Sequence, residues 1–152
     1  MQKRKNEINF NCVIDTNIII SALLKYDSNL GKIIDLILDG ILKPYIDIDT
    51  FEEYIDVIYR KEFIFAKRKA IKFLILISQS GILIEARKKV TSEFVHNDDK
   101  KFYEILKSLS IENKECYLIT ENKKHFPYDS NIVSPKEMIE IINLSKQKKE
   151  NE

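Results

Sequence analysis

The sequence predicts an α/β fold in which helices cover both faces of a mostly parallel, five-stranded sheet. Short apolar runs rich in β-branched residues alternate with longer helix-like runs along the chain, and this alternation is typical of parallel sheets. A length of 152 residues suits one domain with a sizeable core. The hydrophobic share of 44% and the charged share of 32% indicate a globular chain with a solvated surface.

Five runs have the length and composition of strands, and six have those of helices. The predicted strands are 10–15, 41–46, 82–85, 116–120 and 131–133. The predicted helices are 17–24, 30–39, 50–59, 63–79, 100–110 and 135–144. Gly40 and Gly81 follow two of these helices where a C-terminal cap belongs, and Ser134 to Glu137 form a capping box with Pro135 at the first helical position. We expect one domain over 9–144, with flexible termini at 1–8 and 145–152.

Several classes of protein are excluded by what the sequence lacks. The net charge of +1 argues against a strongly basic nucleic-acid coat, and no apolar stretch approaches the roughly 20 residues that span a bilayer. The three glycines form neither a dinucleotide nor a P-loop pattern. Cys12 and Cys116 lie in strand-like runs without metal-ligand spacing, so we expect buried, reduced thiols and a cytoplasmic protein.

Asp15 falls at the carboxyl end of the first predicted strand, directly before Thr16 and Asn17. In open α/β sheets, ligands and chemistry gather at that edge, so this carboxylate is placed to hold a divalent cation. An alternative is that Asp15 or Thr16 only caps the following helix.

Glu52 and Glu53 begin the third predicted helix. Its apolar stripe, taken as Phe51, Ile55 and Ile58, places Glu53 on the opposite side, facing solvent or a cleft. The alternative is a capping box from Thr50 to Glu53, with Glu53 reaching back to the Thr50 amide.

Asp98 and Asp99 precede the fifth predicted helix, where an acidic pair is usually a cap favoured by the helix dipole. They would converge with Asp15 if the strand at 116–120 lies beside the first strand. His125, which follows that strand, is interpreted as a structural or surface histidine. The basic runs 67–69 and 87–89 are interpreted as solvated.

Taken together, these segments resemble the PIN-domain ribonucleases, specifically the VapC-like toxins of toxin–antitoxin pairs. The matching segments are 13–23, 53–57, 98–102, 117–127 and 134–137. The resemblance covers residues 9 to about 143, with the motifs in the expected order.

The resemblance implies a three-layer α/β/α fold in which Asp15, Glu53 and Asp99 are the catalytic and metal-binding residues. It implies Mg²⁺ as the cofactor, with Mn²⁺ as a substitute, because hard carboxylate oxygens suit both ions. Supporting or substrate-binding roles would fall to Asn17, Ser21, Thr120 and Asn122. Asn122 stands at the family's fourth acidic position, next to Glu121, and His96 stands where relatives often carry Asp.

The function implied is a metal-dependent endoribonuclease that leaves a 5′-phosphate and a 3′-hydroxyl. The partners implied are an RNA substrate and a small antitoxin protein, with the chain itself a homodimer and no membrane involved. The alternative is a catalytically weak PIN scaffold that binds RNA or a protein without cutting. A phosphoacceptor switch is disfavoured, because Glu7 is the only acidic residue upstream of Asp15.

Overall fold

The computed structural model describes residues 8–24, 28–60, 67–85, 87–90, 94 and 97–151. Five strands form one parallel sheet: β1 (Phe10–Ile14), β2 (Leu42–Ile46), β3 (Ile82–Leu83), β4 (Cys116–Ile119) and β5 (Ile132–Val133). Each strand lies within one of the five predicted runs. The predicted α/β architecture is therefore confirmed.

The sheet order β3-β2-β1-β4-β5 puts the first strand of the chain at its centre. The chain builds outward to β2 and β3 and then crosses back to β4 and β5. Cys12, Val13 and Ile14 are at most 1% exposed, because β1 is covered on both faces, and this explains its unbroken apolar run. The Asp15 N–H donates to the Ile119 carbonyl at 3.1 Å, so the ends of β1 and β4 lie side by side.

Six α-helices of the described segments surround the sheet. They are α1 (Thr16–Leu24), α2 (Ser28–Leu38), α3 (Ile48–Ile58), α4 (Lys67–Ser80), α5 (Lys100–Ile111) and α6 (Pro135–Glu150). Helix α3 packs against α1, α4 and α5, while α2 packs against α6. The predicted start of the fourth helix at 63–66 lies outside the described residues. No helix in the described part of the chain is both long and apolar enough to cross a membrane.

Helix α6 begins as predicted, whereas its end differs. Ser134 accepts from the Glu137 N–H at 3.1 Å and Glu137 accepts from the Ser134 N–H at 3.1 Å, with Pro135 first in the helix. The helix continues to Glu150, past the predicted end at residue 144. Lys and Gln are good helix formers and carry the helical run onward. The flexibility of residues 145–152 stays a prediction.

The predicted capping box from Thr50 to Glu53 is wrong. Helix α3 starts two residues earlier, at Ile48, with Asp47 as its N-cap. The Asp47 carboxylate accepts from the Thr50 N–H at 2.8 Å, and the Thr50 hydroxyl accepts from the Asp47 N–H at 3.0 Å. Asp47 follows β2 directly and satisfies the first free amides of the helix, so Glu53 is released from that role.

The buried stripe of α3 also differs from the prediction. The buried residues are Thr50, Tyr54, Val57 and Ile58, whereas Phe51 and Ile55 are only partly buried. Residues three before and four after Glu53 are therefore buried, and those positions are its neighbours on the helix surface. Glu53 lies beside the buried stripe rather than opposite it, at the boundary between core and solvent.

The two predicted glycine caps end their helices in different ways. Gly40 adopts a left-handed backbone with φ of +75°, and the Ile41 N–H donates to the Leu36 carbonyl at 3.0 Å, as in a Schellman motif. Gly81 is needed for space instead, because a Cβ there would lie 2.5 Å from the Ile77 carbonyl oxygen.

The basic run 87–89 is only partly a solvated face. Lys88 and Lys89 are exposed as predicted, but the Arg87 guanidinium contacts Asp47, Asp49 and Glu104. The sequence could not show this, because the carboxylates come from α3 and its cap on one side and from α5 on the other. Arg87 therefore joins the start of α3 to α5.

Candidate active site

The carboxyl groups of Asp15, Glu53 and Asp99 line one cleft of about 270 Å³ at the carboxyl end of the sheet. Asp15 follows β1, Glu53 lies on α3, and Asp99 ends a short 3₁₀ turn, Asn97–Asp99, that leads into α5. The other lining residues are Thr16, Asn17, Ile20, Val57, Arg60, Asp98 and His125. The structure therefore brings together the three acidic residues that the sequence singled out.

Asp15 is only 2% exposed. The Thr120 hydroxyl donates to Asp15 Oδ2 at 2.7 Å, and the Asn17 N–H makes a long contact of 3.4 Å to Oδ1. Burial is the largest cause that raises the pKa of Asp15 to about 6, and repulsion from Asp99 and Glu53 adds to it, against the hydrogen bonds from Thr120 and Asn17. A buried carboxyl group with a perturbed pKa in a cleft marks a candidate functional site.

Glu53 is held from two sides. The Thr16 hydroxyl donates to Oε2, and the Lys101 ammonium lies 2.5 Å from Oε1. Glu52, by contrast, is exposed and lines a neighbouring groove. The structure thus separates the two adjacent glutamates and places only Glu53 in the cleft.

Asp99 is buried, whereas Asp98 is exposed. Asp99 occupies the N-cap position of α5, but its side chain makes no capping hydrogen bond. Its Oδ2 lies 3.2 Å from His125 Nδ1. The capping alternative for Asp99 therefore does not account for the direction of its carboxylate.

The four predicted supporting residues divide into two groups. Asn17 lines the cleft, and Thr120 is buried beneath it between Asp15 and Asn122, whose N–H donates to the Thr120 hydroxyl at 3.0 Å. Ser21 instead donates to Glu121 at 3.2 Å in an exposed contact. Ser21 and Asn122 are not among the lining residues. His96 lies outside the described residues.

Four residues in or beside the cleft were missed or interpreted differently from the sequence. His125 was interpreted as structural or surface, yet it faces Asp99. Lys101 contacts Glu53, and Arg60 lines the cleft. The Tyr54 hydroxyl donates to the Ile14 carbonyl, which ties α3 to the end of β1. Of these four residues, Tyr54 had a signal in the sequence. It directly follows Glu53, and a Tyr that is buried needs a hydrogen-bond partner for its hydroxyl.

The donor chemistry of the cleft fits a hard divalent cation. Mg²⁺ prefers oxygen ligands and keeps several waters, so one or two carboxylates anchor it. Within the described ranges, no three His, Cys, Asp or Glu side chains are grouped closely enough to hold a metal ion. Two of the acidic groups instead contact cationic or ionisable side chains, Glu53 with Lys101 and Asp99 with His125.

Comparison with known proteins gives one positive result. No curated protein matches the chain, and no solved structure matches it. A family profile described as the PIN domain matches residues 11–124, a segment that contains Asp15, Glu53 and Asp99. Because this segment covers more than half of the 152 residues, the chain belongs to the PIN domain family, whose members are generally nucleases that use divalent metals.

Proposed function

We propose that this protein is a metal-dependent endoribonuclease that hydrolyses RNA phosphodiester bonds. The observation that carries the proposal is the shared cleft of Asp15, Glu53 and Asp99, in which the pKa of Asp15 is raised to about 6 by burial and by the other two carboxylates. Membership in the PIN domain family supports a nuclease. RNA as the substrate rests on the resemblance to VapC-like toxins.

Asp15, Glu53 and Asp99 are the proposed ligands of Mg²⁺, with Mn²⁺ as a substitute. Among the described residues these carboxylates are not grouped closely enough to hold an ion together, so metal binding would have to draw them closer. Such an ion, when bound, supplies an activated water and relieves negative charge on the phosphate. Thr120 holds Oδ2 of Asp15, and Thr16 holds Oε2 of Glu53. These hydroxyls fix the orientation of both carboxylates, as supporting residues do in metal sites.

Substrate contacts are proposed for the polar residues around the acidic group. Asn17 lines the cleft and offers an amide to a phosphate oxygen. Ser21 and Asn122 do not line the cleft, and contacts with more distant nucleotides are proposed for them. The proposed products are a 5′-phosphate and a 3′-hydroxyl, which require that water attacks the phosphorus, the bond from phosphorus to the 3′-oxygen breaks, and the 3′-oxygen leaves with a proton.

Incubation of purified protein with end-labelled RNA tests the proposal. We expect cleavage with Mg²⁺ or Mn²⁺, none with excess chelator, and none from Asp15→Asn in any metal. Circular dichroism should show that this variant is folded. Cleavage by folded Asp15→Asn at the wild-type rate would remove Asp15 from the mechanism.

The side-chain contacts of Glu53 and Asp99 favour a second candidate, a PIN scaffold that binds RNA or a protein without cutting. Lys101 contacts Glu53 and His125 contacts Asp99, so two of the three acidic groups already have partners. The same assay separates the candidates. A scaffold would bind the labelled RNA and leave it intact in every metal tested.

We also propose that the protein is the toxin of a toxin–antitoxin pair, acts in the cytoplasm and forms a homodimer. These proposals rest on the resemblance to VapC-like toxins. An adjacent small reading frame that encodes a DNA-binding protein, and whose co-expression relieves growth arrest, would support the pairing. Light scattering of the purified chain would report the dimer, and a monomer at micromolar concentration would contradict it.

A further inference from the structure

Lys101 lies on the first turn of α5 and reaches across to α3. Its ammonium is 2.5 Å from Glu53 Oε1, and the side chains of Lys101 and Glu53 are only 18% and 20% exposed. The ammonium also lies 5.8 Å from the centre of the Phe102 ring, within range of a cation–π contact. Lys101 is therefore held against Glu53, in the groove next to the cleft, rather than extended into solvent.

We propose that Lys101 is an exchangeable counter-ion. It neutralises Glu53 when no divalent cation is present, and it turns to a phosphate of the RNA substrate when a cation takes its place on Glu53. This inference rests on the proposed function, and it assigns Lys101 a role in both metal binding and substrate binding.

A divalent cation would compete with Lys101 for Glu53. The Thr16 hydroxyl occupies Oε2 and Lys101 occupies Oε1, so neither oxygen is free of a partner. A divalent cation and an ammonium on the same oxygen repel each other, and Lys has a long flexible stem. Removal of Lys101 should therefore strengthen metal binding.

Lys101 lies at the N-terminal end of α5, where a nearby anion is favourable. The N-terminal turn of a helix disfavours positive charge, so Lys101 gains from an anion nearby. Glu53 supplies that anion in the present arrangement. Once Glu53 binds a metal, an RNA phosphate at the cleft is the anion that can replace it.

The surroundings of the cleft carry more acidic than basic residues. A neighbouring groove of about 530 Å³ shares Glu53, Arg60 and Asp98 with the cleft. Six acidic residues line that groove: Asp49, Glu52, Glu53, Asp56, Asp98 and Glu104. Its four basic residues are Arg60, Arg87, Lys100 and Lys101. Arg87 already contacts three carboxylates, so a polyanion finds few cations here and each of them matters.

Exchange of partners makes metal and RNA binding cooperative. If the metal releases Lys101 to the phosphate, bound metal increases RNA affinity, and bound RNA increases metal affinity by the same factor. Lys101→Met should therefore have opposite effects on the two ligands. A purely structural lysine would not show such a division.

The experiment measures each ligand separately. Mn²⁺ affinity is read from the electron paramagnetic resonance signal of free Mn²⁺. RNA affinity is read from the fluorescence anisotropy of a labelled RNA, with and without Ca²⁺, and gels confirm that the RNA remains intact. The proteins are wild type, Lys101→Met and Lys100→Met, the last of which removes one positive charge at the adjacent position. Lys101→Gln repeats the test should the Met variant fold poorly.

We expect Lys101→Met to bind Mn²⁺ at least about fivefold more tightly than wild type and to lose the Ca²⁺-dependent gain in RNA affinity, which should itself be about fivefold or more. The salt dependence of its RNA binding should become shallower by roughly 0.7 in the log–log slope, as expected for one lost phosphate contact. Lys100→Met should leave Mn²⁺ affinity within about twofold of wild type, since the ammonium in contact with Glu53 belongs to Lys101 and a charge without such a contact is largely screened.

Weaker or unchanged Mn²⁺ binding by Lys101→Met would overturn the proposal, as would an RNA gain equal to that of wild type. Asp15→Asn distinguishes this failure from failure of the proposed function. If Asp15→Asn binds Mn²⁺ as wild type does, the proposed metal site is wrong. If Asp15→Asn loses Mn²⁺ while Lys101→Met behaves as wild type, only the exchange is wrong.

Discussion

Asp15 illustrates at the residue scale how a candidate active site can oppose folding. In the folded chain its pKa is raised from 3.8 to about 6, chiefly by burial and further by Asp99 and Glu53. One pKa unit corresponds to 1.36 kcal/mol, so ionised Asp15 costs the metal-free fold on the order of 3 kcal/mol at neutral pH. A bound divalent cation would reverse this cost, because it favours the charged form.

Asp15→Asn should therefore stabilise the metal-free protein. The folded state holds the Asp15 proton more tightly than the unfolded state, so the stability of wild type falls as pH rises from about 4 through about 6. The variant lacks this dependence. In chelator at pH 7, we expect its free energy of unfolding to exceed that of wild type by about 1–3 kcal/mol.

Urea denaturation at a series of pH values would measure this difference. The gap between the two proteins should close below about pH 4, where Asp15 is protonated in both states. A gap that is independent of pH would show that ionisation of Asp15 is not its cause.

The adjacent glutamates provide a second prediction at the residue scale. Glu53→Gln should reduce cleavage at least about 100-fold, because it removes a charge that is proposed to bind the metal and weakens the contact with Lys101. Glu52→Gln is the matched control, since Glu52 is exposed. Initial rates on labelled RNA at saturating metal decide the matter, and equal rates for both variants would contradict a role for Glu53.

At the scale of elements, the relative position of α3 and α5 matters because α3 carries Glu53 and α5 follows Asp99. Arg87 spans these helices through Asp47, Asp49 and Glu104. Asp47 and Glu104 are 5% and 4% exposed, so the guanidinium is the cationic partner of two buried carboxyl groups. Burial lowers the pKa of Arg87, but hydrogen bonds to the three carboxylates raise it above its usual value.

Arg87→Met should destabilise the fold by about 3 kcal/mol, because it leaves buried carboxylates without their cation. Lys88→Met removes the same charge from an exposed neighbour and should change stability by less than about 0.5 kcal/mol. Chemical denaturation of both variants at pH 7 gives the comparison. A similar effect in both would show that net charge matters and that the Arg87 contacts do not.

Helix α6 supplies a prediction at the scale of the whole molecule. Its buried residues, Pro135, Met138 and Ile142, all lie in its first half. A chain that ends after Ser145 keeps them all, so its unfolding midpoint should fall by less than about 3 °C. A larger fall in thermal denaturation would place part of the stabilising structure beyond the predicted domain boundary at residue 144.

Much of the fold follows from local pattern, since each strand lies within a short, mostly apolar run of the sequence. The start of α3 was predicted wrongly because several residues in that segment are equally suited to begin a helix. Asp47, Asp49 and Thr50 can all cap a helix, and in the structure the N-cap is Asp47, whose carboxylate also contacts Arg87. The buried stripe of α3 was also predicted wrongly. The Tyr54 hydroxyl donates to the Ile14 carbonyl on β1, and the sequence of the helix alone does not show this contact.

The sequence predicted the acidic residues of the candidate site but not the side chains that contact them. Asp15, Glu53 and Asp99 each stand at a recognisable position in the chain, and the resemblance chose among neighbouring acids. Lys101 and His125 carry no such signal, because each is defined by a contact with a residue distant in sequence. Pairs of this kind are set by tertiary packing, which a single sequence does not report.

The central position of β1 also sets the order in which the site can exist during synthesis. Asp15 leaves the ribosome early, but its backbone partner is Ile119 and its side-chain partner is Thr120. Domains fold as their segments become available, and these two partners are made some hundred residues later. A nascent or prematurely ended chain that stops before β4 therefore carries Asp15, Glu53 and Asp99 without the strand that orients the first of them. The complete acidic cleft therefore requires a chain that extends through β4 to Thr120.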